Sequence, residues 1–299
     1  MSFLDLPNEL LLQIALDFDC KDLNSLLRVN RRTCFLFTQS LQRLAVEPKG
    51  GLSALQWAAS KGYYSLAVLA IDSGLWLDER CEAHDRTPLH FAISGAAPKI
   101  AKLLLDRGAD PNARNDNGST PLHWAAMCGM HDVCQALIAA GADTTLKNND
   151  GVTPLHCAVE GGAEAFVRLL DELDVHACSD IDTSEVSVPK EENRRRVAVV
   201  RLLLDNDSRV NARDSSGYTA LHFAAMVGKR KVVNWLLEEG ADAYVKDRDR
   251  STALDIAEAL GHKKVVALLQ DHYQKNTEPL WSVVANNILD IIGIGMNTR

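Results

Sequence analysis

The sequence is short of positive charge: 32 lysines and arginines face 40 aspartates and glutamates, for a formal net charge of -8. Affinity for nucleic acid rests on clustered Lys and Arg, so this balance excludes a general phosphate-binding surface. No apolar run approaches the roughly 20 residues that a helix needs to span a bilayer, so neither nucleic acid nor membrane is expected as a partner. The opening stretch, Met1-Ser2-Phe3-Leu4-Asp5-Leu6-Pro7-Asn8-Glu9, has acids where a signal peptide needs bases. Its seven cysteines are odd in number and lack paired spacing, which fits reduced thiols rather than a disulfide framework. A hydrophobic content of 46% with 24% charge excludes a disordered chain. The expectation is a soluble protein, cytoplasmic and/or nuclear.

Chemical motifs are also missing. There is no Gly-x-x-x-x-Gly-Lys-Ser/Thr, no Gly-x-Ser-x-Gly and no His-Glu-x-x-His. Gly293-Ile294-Gly295 stands alone without a preceding strand. Cys128, His131 and Cys134 are metal-ligand types, but their spacing crosses a tight link between two helices. Their side chains should diverge, which predicts free thiols and not zinc. No enzyme activity, metal or cofactor is expected.

What is present is a repeat. Thr-Pro-Leu-His occurs at 87–90, 120–123 and 153–156, a step of 33 residues. Thr219-Ala220-Leu221-His222 and Thr252-Ala253-Leu254-Asp255 continue the phase, and Ser53-Ala54-Leu55-Gln56 is a degenerate upstream copy. A second motif keeps the same register, from Gly108-Ala109-Asp110 to Gly141-Ala142-Asp143 and Gly240-Ala241-Asp242.

Each unit is explicable residue by residue. Thr120 suits a helix cap and Pro121 a first turn, where a missing N–H costs nothing. Leu122, Ala125 and Ala126 form a thin apolar face. Gly129 ends that helix, and Val133, Ala136, Leu137 and Ile138 stripe a second, antiparallel one. Gly141 stops it in a left-handed conformation, and Asn148-Asn149-Asp150-Gly151 turns a projecting β-hairpin. The recurrent His90, His123, His156 and His222 open the first helix of their units, where an imidazole can bridge backbone groups of adjacent repeats. No unit buries its own face, so neighbours must stack.

On these motifs residues 51–272 resemble the ankyrin-repeat family, with about six or seven repeats. The resemblance implies an all-α solenoid with β-hairpin loops that binds a protein partner. Between Thr153 and Thr219 one repeat start is missing, and a polar stretch near 174–196 separates two second-helix motifs, Phe166–Leu170 and Val199–Leu204. Two readings stand, a degenerate repeat containing a long loop, which is favoured, or an insertion within one repeat.

Residues 1–45 form a separate segment with three helical patterns. Leu6-Pro7-Asn8-Glu9-Leu10, Ile14, Asp22-Leu23, Leu26, Val29 and Arg31-Arg32 follow the pattern of the F-box, which this segment resembles. Phe35 and Phe37 stand where that family often has tryptophan. The resemblance implies docking on a Skp-type adaptor of a cullin-RING (SCF) ubiquitin ligase through Leu6, Pro7, Leu10, Ile14, Leu23, Leu26 and Val29. The chain would then recruit an unknown protein substrate through its repeats. The alternative is an ankyrin scaffold or inhibitor, with these helices only capping the solenoid.

In such a solenoid the first-helix ends and the hairpin tips should meet the partner. The residues concerned are Trp124, Met127, Cys128, Met226 and Val227, rimmed by Asp116, Asn117, Asn149, Ser215 and Arg248. Residues 273–299 read as a capping helix or tail, with Trp281, Val284, Ile288, Leu289 and Ile292 on one face.

Overall fold

The computed structural model describes residues 52–160 and 190–276, except positions 73 and 207, with side chains from Arg196 onward in the second stretch. The N-terminal segment, residues 161–189 and the C-terminal apolar helix lie outside the described residues. Two compact units divide the chain, Met1–Ser215 and Ser216–Arg299.

The first unit contains α1 (Ala54–Lys61), α2 (Tyr64–Asp72), α3 (Pro88–Ser94), α4 (Pro98–Asp106), α5 (Pro121–Met127), α6 (His131–Ala139), α7 (Pro154–Glu160) and α8 (Lys190–Leu204). They form four consecutive pairs, and first helices pack on first helices as second pack on second. Thr87 and Thr120 stand in extended conformation before a first-turn proline, which fixes where α3 and α5 begin. Leu122, Ala125 and Ala126 have no accessible surface. Alanine at these positions lets successive first helices approach closely. Leu104 and Leu137 on the second helices are equally buried, each burial contributing about 2 kcal/mol. Gly129 takes φ +65° between α5 and α6, a conformation that costs a residue with a Cβ.

The helices on either side of the irregular stretch pair with each other. α8 packs against α7 and against α6, the place a second helix following α7 must take. The loop after it lies directly on the loop before α7. Ser215 N donates to Asp150 O at 2.7 Å, and Thr144 Oγ1 donates to Asn206 O at 2.9 Å. α7 and α8 therefore stack as the two helices of one repeat, and residues 161–189 between them lie outside the described residues. α8 also begins at Lys190, so the polar stretch ends in helix rather than loop.

The loops projecting between repeats were expected as β-hairpins. Among the described residues there is no β-strand, and the loops are single tight turns. Asn115 N donates to Ser119 O at 3.1 Å while Asn115 Oδ1 accepts from Ser119 N at 2.8 Å. Asn148 closes the next loop on Val152 the same way. A side-chain oxygen thus does what a further ladder bond would do. Neighbouring tips are joined by a few bonds, such as Asn149 N to Asn117 O at 3.0 Å and Asn149 Nδ2 to Asp116 O at 2.9 Å.

The second unit contains α9 (Ala220–Val227), α10 (Arg230–Glu238), α11 (Ala253–Ala259) and α12 (Lys263–Asn276). Val232, Val233, Leu236, Val265 and Leu269 on its second helices are buried. α12 runs four residues past the expected repeat end at 272. Asp247 closes the loop here by accepting from Ser251 N at 2.8 Å. Arg250 holds φ +65° where Gly118 and Gly151 stand in other loops. Six helix pairs are therefore present among the described residues.

Candidate protein-binding surface

The recurrent histidines are the first residues to place. Thr120 N–H donates to His123 Nδ1 at 3.1 Å, and the Thr120 hydroxyl lies 2.8 Å from the same nitrogen. A backbone N–H can only donate, so Nδ1 carries no proton and Nε2 must carry it. That proton points at Val152 O of the following repeat, 3.0 Å away. His90 is held the same way, by Thr87 and by Ser119 O at 3.2 Å. Burial away from water lowers His90 to about 3 and His123 to about 4. Both rings are neutral struts between repeats, with each nitrogen already engaged.

The degenerate end copies keep part of this device. Gln56 Oε1 accepts from Ser53 N at 3.0 Å and its Nε2 donates to Glu79 O at 2.9 Å. An amide has the same acceptor and donor as the neutral imidazole. Asp255 accepts from Thr252 N at 2.8 Å and from its hydroxyl at 2.7 Å. A carboxylate has no donor to offer a following repeat, and these bonds hold Asp255 below the usual carboxylate range.

The surface residues divide. Met127 and Cys128 are half-buried at the end of α5. Asp116, Asn117, Asn149 and Ser215 are exposed on the loops of the first unit. Trp124 is corrected. It is only 5% accessible, with its ring 5.3 Å from that of His90 and the Arg86 guanidinium 5.2 Å over it. It belongs to the packing between repeats. In the second unit Met226 and Val227 are 36% and 42% accessible, and Arg248 is exposed. Leu260, 52% accessible, lies one 33-residue step beyond Val227 and was missed. The repeat register could have found it.

Trp76 was missed as well. At 80% accessible it is the barest of the exposed large hydrophobic residues. It follows α2 where Asp110 follows α4, and no sequence pattern marks a lone tryptophan there.

Cys128, His131 and Cys134 do not gather. Cys134 is fully buried in α6 and burial pushes its thiol up, while His131 Nδ1 lies 3.4 Å from Asp132. Among the described residues no three His, Cys, Asp or Glu side chains are grouped to hold a metal. No described helix is long and apolar enough to cross a membrane.

Ankyrin-repeat family models match residues 77–125, 108–179 and 192–279. The chain belongs to the ankyrin-repeat family. The match is interrupted at 180–191. Over 84 residues the chain is 37% identical to human protein phosphatase 1 regulatory subunit 27, covering 28% of this chain and 53% of that protein. It is 43% identical over 68 residues to ADP-ribosylation factor GTPase-activating protein AGD4 of Arabidopsis thaliana, 23% of this chain and 9% of that one. It is 33% identical over 68 residues to E3 ubiquitin-protein ligase hecd-1 of Caenorhabditis elegans, 23% of this chain and 2% of that one. The chain thus spans about half of the first relative and far less of the other two. Ankyrin repeats are modules of protein–protein interaction, and the matched residues start at 77.

Proposed function

We propose that the chain is a substrate-recruiting adaptor of an SCF-type ubiquitin ligase. Its ankyrin repeats hold a protein substrate and residues 1–45 hold a Skp-type adaptor. The chain performs no chemistry and raises the effective concentration of substrate beside the charged enzyme. The observation that carries the protein-binding half is the exposed loop tips of the first unit and the bare apolar side chains of the second, on a scaffold whose His90 and His123 are committed to packing. Support for the ligase half is the order of Leu6-Pro7, Glu9-Leu10, Ile14, Asp22-Leu23 and Val29 in a leucine-rich segment. Some 45 residues are too few to stabilise a core well alone, so such a segment gains by burying its leucines on a partner. The test is retention of recombinant Skp adaptor by the full chain, wild type against Leu10→Asp plus Ile14→Asp. Retention by the wild type and loss by the variant supports the ligase reading. Equal retention by both, or by neither, ends it.

A second reading is a regulatory ankyrin subunit with no ligase connection, favoured by the similarity to protein phosphatase 1 regulatory subunit 27. It predicts that deleting residues 1–45 leaves partner capture intact.

A further inference from the structure

The loops of the first unit carry a basic residue at one register: Arg80, Arg114, Lys147 and Arg213. Their side chains form a ladder. Arg80 Nη1 donates to Arg114 O at 2.9 Å, Arg114 Nη2 to Lys147 O at 2.7 Å, and Lys147 Nζ to Arg213 O at 2.9 Å. All four residues are exposed.

A carbonyl satisfies a donor but does not neutralise its charge. Arg80 has Asp85 at 3.9 Å, whereas among the described residues neither Arg114 nor Lys147 forms an ion pair. Beside Lys147 lies a shallow hollow lined also by Arg209, Val210 and Arg213. In a chain of net charge -8, two neighbouring exposed cations with no ion pair among the described residues, Arg114 and Lys147, are a selective feature of one face.

We infer that this ladder is the docking strip for an extended, acidic polypeptide segment with a carboxylate at about every third residue. The inference rests on the protein-binding reading above and names the chemistry of the partner. Packed helices stand about 8–10 Å apart, which sets the spacing of the rungs. An extended chain rises about 3.3 Å per residue, so three residues carry it from one rung to the next. The exposed carboxylates of Asp116 and Asp150 lie on the same loops as the cations. A peptide can place its charges on the rungs and spare these acids. A nucleic acid, with a charge roughly every 1.7 Å of duplex, cannot.

The test is fluorescence anisotropy with the full chain and three fluorescein-labelled probes. One is a Gly-Ser peptide with glutamate at every third position. The second has the same composition with its glutamates contiguous, and the third is a DNA duplex. The spaced peptide binds tightest, and its affinity falls with added salt. Arg114→Gln plus Lys147→Gln leaves polar side chains at both rungs and removes two charges, weakening binding about tenfold. Should that variant lose its helical circular dichroism, Arg209→Gln, which lies outside the ladder, is expected to weaken binding as well. The inference is overturned if the wild type ignores the spaced peptide, binds both peptides equally or prefers the duplex. It is overturned too if a folded variant binds as the wild type does. Should these probes fail while a captured protein is still lost on altering Met226 and Val227, this inference falls and the protein-binding reading stands.

Discussion

His123 Nε2 sits 3.0 Å from the carbonyl oxygen of Val152, 29 residues further on, while its Nδ1 holds the cap of its own helix through Thr120. One ring thus closes a helix start and joins two repeats. His123→Ala leaves buried Thr120 N–H and the Val152 carbonyl without these partners and opens a cavity, a loss of about 2–4 kcal/mol. Gln56 already performs both tasks with an amide. His123→Gln is therefore expected to cost less than half as much. Urea unfolding of the three proteins checks the order.

Acid should weaken the stack for the same reason. His90 and His123 are held at about 3 and about 4, against about 6.5 in the unfolded chain. Depression of the folded value means that the unfolded state takes up protons first as pH falls. Stability is then fully present above about pH 6.5 and declines from there to about pH 4 for His123 and about pH 3 for His90, by roughly 3–5 kcal/mol per histidine in the limit. Urea midpoints at neutral pH and near pH 5 measure the slope, and His123→Gln should make it shallower.

Arg250 pays a backbone cost that the other loops avoid. Its φ of +65° occupies the register of Gly118 and Gly151, and an L side chain is disfavoured there. Arg250→Gly is expected to stabilise the second unit by about 0.5–1 kcal/mol, read as a rise in thermal midpoint.

Gly228 predicts the opposite sign. It takes φ +72°, and an added Cβ would lie 2.6 Å from Nδ1 of His262, whose Nε2 is engaged with Met226 O at 3.0 Å. Gly228→Ala combines left-handed strain with a clash against a fixed ring and should destabilise by about 1–3 kcal/mol. Thermal melts of the two glycine-position variants give a paired comparison.

The repeat register was legible because its signals are local. A capping Thr, a first-turn Pro and a turn Gly each act within a few residues, so the helix starts at Pro88, Pro121 and Pro154 follow from sequence. The histidine struts were legible too, since one residue type at one register implies one task. The pairing of α7 with α8 was not, because the 33-residue phase alone does not show which helices stack, and the bond from Ser215 to Asp150 does. Nor could sequence tell that Trp124 lies beneath Arg86 while Met226 stands bare, because accessibility depends on neighbours a whole repeat away. The basic ladder escaped notice since Arg and Lys in loops ordinarily mean only solvation.

The central claim is that the repeats grip a protein through exposed tips and bare apolar positions. It is tested most directly by quantitative affinity purification of the full chain against a variant carrying Asp116→Lys, Asn149→Lys, Met226→Asp and Val227→Asp. All four side chains lie at the surface, so the variant should melt within about 1 kcal/mol of the wild type. Proteins captured by the wild type should be lost from the folded variant. Recovery of the same proteins in the same amounts from both would contradict the account.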